Sequence, residues 1–263
     1  PKAAGAGGNA KMAVMWNGMP QAAGQDVESL LLELDPATGH RLDSILLEKT
    51  QDTSTNAFMN PWMMQAQAGG RQGPRMACGP ATSQGLIVCP VSEEKFVAVD
   101  LATRQIRWSI ARTSADRKDS QGMMQQMMMM GIQPQMLNDS MFDGDRWSEP
   151  CAMVAEDCVL LTPVDSDRLY CLDLLTGDLR WTASRQDGLY VAGVVEKTVL
   201  IVGRGTITGL KLATGKPAWA RRTSLPPGAF PSGRGLVSRG KLLVPLSSAE
   251  IAVVDPRDGQ IVA

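Results

Sequence analysis

A run of methionines is the densest group of candidate ligands in the sequence. Met123, Met124, Met127, Met128 and Met130 stand at spacings of three and four residues, which place side chains on one face of a helix. Soft thioethers suit Cu(I), so the run is a candidate copper site. No histidine or cysteine accompanies it, and flexible thioether side chains also pack well on protein surfaces. We therefore favour packing on this protein or on a partner over copper binding.

Other groups of chemistry-bearing residues are incomplete. Residues 138–145 supply oxygen ligands that suit calcium, but not at the spacing of a calcium loop, so a solvated polar turn is favoured. The single histidine, His40, lies in a predicted turn, and we expect neither a catalytic triad nor a histidine-based zinc site to be assembled from it. Phosphate-binding and dinucleotide-binding glycine patterns are absent from the sequence. The sequence therefore predicts no catalytic, cofactor-binding or metal-ligating residues.

The elements that must position any binding residues are repeated hairpins. In three copies an alternating strand reaches an Asp slot, turns through Thr and Gly, and arrives at a Trp eight residues after that slot. Two weaker copies flank them, with Asp43 and Ala263 in the Trp slot. Of the three central copies, the last has Lys211 in the Asp slot. The predicted structural residues are Asp35, Gly39, Asp100, Trp108, Asp173, Gly177, Trp181, Gly215, Trp219, Asp255 and Gly259.

This pattern resembles the tryptophan-docking motif of PQQ-like (quinoprotein-type) β-propellers. The departures from that motif include Arg104 in place of Gly, Lys211 in place of Asp, and Cys171 and Gly209 in place of Ala. The resemblance implies an all-β propeller of four-stranded antiparallel blades, with Trp108, Trp181 and Trp219 wedged between neighbouring blades. The matching residues are Ala98, Asp100, Thr103 and Trp108, then Asp173, Thr176, Gly177 and Trp181, then Thr214, Gly215 and Trp219.

The spacing of the copies predicts the domain organisation. The Asp slots at 35, 100 and 173 lie 65 and 73 residues apart, whereas those at 173, 211 and 255 lie 38 and 44 apart, and a propeller blade takes about 40 residues. We therefore predict insertions at about 48–75 and 112–149 in a propeller of about five blades covering 11–263, after a disordered segment 1–10. Because the chain starts at Pro1 and ends at a Trp slot, an open propeller from a longer chain is expected.

Proline marks one strand in each of three blades. Pro90, Pro163 and Pro245 each stand ten residues before an Asp slot. Since proline cannot donate to a β-ladder, each should end its strand. By blade topology, the two insertions and the connection 17–29 should share one face, and loops on a rigid scaffold often carry binding residues.

The cysteines contain no Cys-x-x-Cys pair, which argues against zinc and thioredoxin-like chemistry. For Cys78 and Cys89 two strand registers remain open. Alignment of Trp108 with Trp181 places Cys78 on Cys151, and a polar turn at Glu156-Asp157 sets Cys151 opposite Thr162. Carried back, this register centres the first turn on Ser83-Gln84 and predicts that Cys78 faces Cys89, where a strained disulfide is feasible. A turn at Gln84-Gly85, which glycine prefers, sets Pro80 opposite Cys89 instead. A bond would support an oxidising, extracytoplasmic compartment. The five cysteines are Cys78, Cys89, Cys151, Cys158 and Cys171.

Charge gives one local bias. Net charge is −1, which provides no global attraction to nucleic acid or membrane, and no apolar run approaches the length of a membrane helix. From Lys197 to Lys241 there are nine basic residues and no Asp or Glu. A solvated surface is the simplest interpretation of this segment, and an anionic partner is the alternative.

Two functional classes follow from the resemblance. One is a non-catalytic propeller scaffold that binds a protein partner through long Met-rich loops on one face, similar to the propeller lipoproteins of outer-membrane β-barrel assembly and extracytoplasmic. The other is a fragment of a PQQ-dependent dehydrogenase, which would need PQQ, calcium and a pair of adjacent cysteines that this sequence lacks. We favour the scaffold, with a protein partner or the rest of a longer chain bound to it, and a copper-binding protein is a further alternative.

Overall fold

Strands and turns make up the part of the chain that a computed structural model describes, residues 12–17, 26–51, 79–91, 95–111, 147–148, 150–164 and 166–262. Within these ranges 18 strands form five antiparallel sheets. In every sheet the strands are neighbours in chain order, so each sheet is a meander. We number the sheets blades 1 to 5 along the chain.

The first two blades precede the second predicted insertion. Blade 1 consists of β1 (Met12–Asn17), β2 (Asp26–Leu34) and β3 (Arg41–Gln51). Blade 2 consists of β4 (Ala81–Ser83), β5 (Leu86–Pro90), β6 (Lys95–Asp100) and β7 (Gln105–Ala111).

The remaining blades follow it. Blade 3 consists of β8 (Cys151–Ala155), β9 (Cys158–Thr162), β10 (Arg168–Asp173) and β11 (Leu179–Ser184). Blade 4 consists of β12 (Gly188–Val195), β13 (Thr198–Gly203), β14 (Thr206–Lys211) and β15 (Thr223–Ser224). Blade 5 consists of β16 (Leu236–Ser238), β17 (Lys241–Pro245) and β18 (Ile251–Val254).

These sheets confirm the all-β propeller fold of four-stranded antiparallel blades. Blades 2, 3 and 4 have four strands each, and blades 1 and 5 have three within the described residues. In blade 5 a single bridge between Val254 and Ile261 stands where an outermost strand would begin.

The chain divides into two compact units, Pro1–Val91 with Val97–Arg107, and Ser92–Phe96 with Trp108–Ala263. In the first unit a buried cluster joins Leu31 and Leu47 of blade 1 to Ile87, Val97 and Val99 of blade 2. In the second unit, one cluster lies between blades 3 and 4 and another between blades 4 and 5. Within each unit these apolar clusters therefore lie between neighbouring sheets.

The prolines end their strands as predicted. The strand β5 ends at Pro90 and β17 at Pro245, and β9 ends at Thr162, directly before Pro163. A proline at that point leaves the ladder without a missing donor.

The predicted register in which Cys78 faces Cys89 is wrong. In the β4–β5 hairpin Ser83 pairs with Leu86, which extends to Pro80 opposite Cys89. Gln84 and Gly85 form the turn with φ of +50° and +76°, the left-handed pair that a two-residue hairpin requires. Cys89 is a buried free thiol, and burial raises its pKa to about 12. The proposed disulfide therefore gives no clue to the compartment.

The second hairpin keeps the predicted register. Cys151 pairs with Thr162 across β8 and β9, and Glu156 begins the turn with φ of +54°. The two hairpins thus differ by one residue in turn position, because only the first has a glycine that favours the later turn.

The edges of both insertions also differ from the sequence pattern. The strand β3 continues to Gln51, and Glu48 pairs with Ser29, so the predicted insertion 48–75 overlaps a strand. The strand β2 begins at Asp26, inside the predicted connection 17–29. Trp147, within the predicted insertion 112–149, is buried in the cluster between blades 3 and 4 and donates from Nε1 to the Arg168 carbonyl at 3.1 Å. Apart from residues 48–51 and 147–148, both predicted insertions lie outside the described residues, as do residues 1–10.

Candidate functional site

Three tryptophans dock on the motif turn of the following blade in the same way. Trp108, Trp181 and Trp219 are 8, 9 and 7% exposed. Each indole Nε1 donates to the carbonyl directly after the next Asp slot. The acceptors are Leu174 at 2.8 Å, Leu212 at 2.7 Å and Pro256 at 2.9 Å, respectively. Buried apolar area and a satisfied indole N–H together hold each indole on its turn.

A glycine receives each indole. Gly177, Gly215 and Gly259 have φ of +77°, +68° and +79°, and a Cβ at Gly177 would lie 2.8 Å from Cγ of Trp108. The glycine is thus required twice, by a left-handed backbone and by the close approach of the ring.

An aspartate in the Asp slot closes its turn from inside. Asp173 Oδ1 accepts hydrogen bonds from the N–H groups of Leu175 at 2.9 Å and Thr176 at 3.0 Å, and Asp100 repeats the arrangement. The side chain of Arg180 lowers the pKa of Asp173, with further lowering by the turn N–H groups. These carboxylates are ionised structural groups, so none is suited to act as a general acid at neutral pH.

The first docking position uses a different pair. Arg104, which stands in the glycine slot of blade 2, places Nη2 2.8 Å from Oδ2 of Asp43, which stands in the tryptophan slot of blade 1. Both residues are departures from the motif, and the structure brings them together. Sequence reasoning missed this ion pair, although the rule that each Trp slot meets the next Gly slot would have found it.

Blade 3 also contains a thiol beside a guanidinium. Arg180 lies 2.7 Å from Asp157, 2.6 Å from Asp173 and 3.0 Å from Sγ of Cys158. Burial raises the pKa of Cys158 and Cys171, while the Arg180 hydrogen bond lowers the pKa of Asp157 to about 2. Since a thiolate is the nucleophilic form, these protonated thiols are packing residues rather than a catalytic pair.

A cleft with a volume of about 540 Å³ lies between blades 3 and 4. Ile201, Leu210, Pro217 and Trp219 give it an apolar wall. Three arginines line it as well, Arg185, Arg221 and Arg222. The sequence offered one signal for it, the Arg-Arg pair two residues after Trp219, where the blade 3 copy has Ala183-Ser184 after Trp181.

The chemistry-bearing groups named from the sequence fall elsewhere. The methionine run at 123–130, the polar segment 138–145 and Cys78 lie outside the described residues. His40 is exposed in the turn of blade 1, where its backbone N–H donates to Thr38 Oγ1 at 3.3 Å. Within the described ranges no group of three or more His, Cys, Asp or Glu side chains is arranged to hold a metal ion. The same ranges include no helix with the length and apolar character needed to span a membrane.

Comparison with known proteins identifies the repeat. The model of a PQQ family described as outer membrane protein assembly factor BamB matches residues 135–263. The match covers just under half of the chain. No curated protein matches it.

A solved quinohemoprotein dehydrogenase shares the fold. The quinohemoprotein alcohol dehydrogenase ADHIIG from Pseudomonas putida HK5 is 14% identical, with 91% of this chain and 40% of that chain covered and a TM-score of 0.52. BamB from Moraxella catarrhalis is 20% identical, with 70% of this chain and 48% of that chain covered and a TM-score of 0.48. The chain therefore spans half or less of the length of these two structures.

Proposed function

We propose that this PQQ-repeat propeller is a non-catalytic scaffold that binds a protein partner. The observation that carries the proposal is the family match over residues 135–263, because the family is described as an assembly factor. A scaffold that holds a partner in place requires a rigid body rather than a reactive centre.

The docking geometry supplies that rigid body. Trp181 and Trp219 each join a buried indole to a carbonyl of the next blade, at 2.7 and 2.9 Å. Contacts repeated in this way fix the orientation of each blade relative to the next. Loops that the blades carry are therefore held at fixed distances from one another.

The binding elements in this proposal are the two predicted insertions, at about 48–75 and 112–149, which we expect from blade topology to share one face. The second carries the run Met123 to Met130, and unbranched polarizable methionines adapt to varied partner surfaces. An extracytoplasmic location belongs to the same proposal, since the matching family is described by its outer-membrane role.

The dehydrogenase alternative has less support. Its likeness is one of fold, at 14% identity, and fold alone does not give activity. The sequence lacks two adjacent cysteines, and the described residues offer no ligand cluster of the kind that calcium would need.

Site-specific photo-cross-linking in the native host tests the proposal. A photoreactive phenylalanine at position 127, in the methionine run, is compared with one at position 248, an exposed serine in blade 5. We expect a discrete cross-linked protein from position 127 and none from position 248.

Two results would overturn the scaffold proposal. One is the absence of a specific cross-link at position 127 in cells where the chain is folded and abundant. The other is alcohol-dependent dye reduction by the purified chain after addition of PQQ and calcium, which would establish the dehydrogenase class.

A further inference from the structure

The outer strand of blade 4 carries two residues more than that of blade 3. Between the paired positions Leu210–Pro217 and Ile207–Thr223, the outer strand advances by six residues while β14 advances by three. In blade 3, from Leu172–Leu179 to Leu169–Ala183, four steps face three. Extra residues of this kind bulge out of the ladder and redirect side chains.

This bulge carries arginines to the cleft between blades 3 and 4. It lies within residues 218–222, so Arg221 and Arg222 project from an irregular segment rather than from a paired strand. Thr208, on the facing strand β14, then lines the cleft together with both arginines.

The third arginine comes from the neighbouring blade. Arg185 follows β11 and is 5% exposed, and its Nη1 donates to the carbonyl of Gly188 at 2.8 Å. Its backbone N–H donates to the Asp167 carbonyl at 2.6 Å, which fixes the segment at the cleft wall.

The charge of the cleft is not cancelled by its own walls. No Asp or Glu is among the described residues that line it. Arg222 lies 3.5 Å from Asp187, which Thr206 also contacts. In the described part of the chain Arg221 forms no ion pair, and it is exposed. The cleft thus presents positive charge beside an apolar wall.

We infer that this cleft binds an extended protein segment in which a carboxylate stands beside an apolar side chain. Arginine forks bind carboxylates through paired hydrogen bonds, and the wall of Trp219, Pro217 and Leu210 accepts the apolar side chain. The volume of about 540 Å³ falls in the range of about 300–1,000 Å³ typical of ligand pockets. This inference rests on the proposed function, because it names a chemistry for the partner.

Peptide binding to the whole chain tests the inference. The probe is the fluorescein-labelled peptide Ser-Leu-Asp-Leu-Ser, measured by anisotropy beside twins with Asn in place of Asp or Gly in place of both Leu. We expect saturable binding of the first peptide and at least about tenfold weaker binding of each twin. Raising the salt concentration should weaken binding, since exposed charges are screened.

The decisive variant is Arg221→Glu, which changes an exposed residue and leaves the buried Arg185 intact. Its matched control is Arg239→Glu, the same charge change at an exposed position in the turn between β16 and β17. We expect at least about tenfold weaker peptide binding for the first and unchanged binding for the second. A variant lacking Ala220 and Arg221, which shortens the bulge to the blade 3 spacing, should also lose binding while its thermal melting stays cooperative.

Three results would overturn the inference: no binding of the Asp peptide, equal binding of the Asn peptide, or unchanged binding by Arg221→Glu. Equal binding of the Gly twin together with displacement by inorganic phosphate would also overturn it, by showing a simple anion site. A protein cross-link at position 127 together with peptide failure would reject the cleft chemistry and leave the scaffold function standing.

Discussion

Asp43 and Arg104 form an ion pair at the one docking position where the motif lacks both tryptophan and glycine. Their side chains approach to 2.8 Å, and Arg104 also lies 3.3 Å from Glu33. Arg104 has φ of +60°, so it keeps the left-handed backbone that glycine adopts in the other turns. With no indole to receive, a Cβ is tolerated at this turn, and the long arginine reaches the shorter partner.

Restoring the docking pair tests this explanation. We expect Asp43→Ala and Arg104→Ala each to cost less than about 1 kcal/mol, because exposed ion pairs contribute little. In the double variant Asp43→Trp with Arg104→Gly, we expect the two changes to stabilise each other by about 0.5–3 kcal/mol relative to the singles. Urea unfolding of all variants provides the measurement. Additive effects of the two changes would contradict the explanation.

The indole of Trp181 should be among the most costly side chains to remove. Trp181→Ala should lower the free energy of unfolding by about 3–5 kcal/mol. Trp181→Phe should lower it less, because an aromatic ring still packs on the turn. This variant loses only the hydrogen bond to the Leu212 carbonyl at 2.7 Å and part of the ring area. That lost bond leaves a buried carbonyl without its donor, which costs about 1–3 kcal/mol.

Chemical denaturation of both variants checks the order. The control is Leu236→Ala, which truncates a side chain that is 65% exposed and should change stability by no more than about 0.5 kcal/mol. An equal cost for Trp181→Ala and Leu236→Ala would mean that docking does not hold the blades together.

The repeat made the fold predictable, because a strand, a turn and a tryptophan recur at one spacing. The Asp slots, the glycines and the three indoles all come from that recurrence, and no distant contact was needed to name them. The register of Cys89 was different. The repeat placed the turn at Ser83-Gln84, while local turn chemistry favoured Gln84-Gly85, and the left-handed preference of Gly85 decided the register.

The cleft could not be predicted in the same way. Arg221 and Arg222 were visible in the sequence as part of a basic segment, which by itself indicates only a solvated surface. Their shared position with Arg185 depends on two extra residues in an outer strand and on the contact between blades 3 and 4. Neither feature leaves a periodic signal in the sequence.

Gly215 and Gly240 separate the effect of a left-handed backbone from the effect of a neighbouring indole. Gly215 has φ of +68°, and a Cβ there would collide with the ring of Trp181. Gly240 has φ of +70°, with no atom within 4 Å of the same position. Gly240→Ala should therefore cost about 1–2 kcal/mol, from the backbone alone. Gly215→Ala should cost about 1–3 kcal/mol more, because the alanine overpacks the docking site.

Thermal and urea unfolding of the two glycine variants give the comparison. A third variant combines Gly215→Ala with Trp181→Ala, so that the added methyl group no longer meets an indole ring. We expect the double variant to cost less than the sum of the two singles. Equal costs for Gly215→Ala and Gly240→Ala would show that the backbone, and not the indole, requires glycine.

Asp255 should make the stability of blade 5 depend on pH in the acidic range. Its carboxylate lies 2.8 Å from Arg257 and also contacts Lys241. The hydrogen bond from Arg257, followed by that from Lys241, holds the pKa of Asp255 well below its ordinary value, which is about 3.9 in an unfolded chain. A carboxyl group with a depressed folded pKa contributes stability above the unfolded pKa and loses it as pH falls toward the folded pKa.

The measurement compares the natural chain with Asp255→Asn by urea unfolding at pH 7, 5, 4 and 3. We expect the natural chain to be the more stable at pH 7 and 5. The difference should shrink below about pH 4, because the Asp255 carboxylate of the unfolded chain then takes up a proton that the folded chain does not bind. Asp258→Asn changes an exposed carboxylate in the same turn and should leave the pH profile close to that of the natural chain. A difference between the natural chain and Asp255→Asn that stays constant from pH 7 to 3 would show that Asp255 acts through turn geometry and not through its charge.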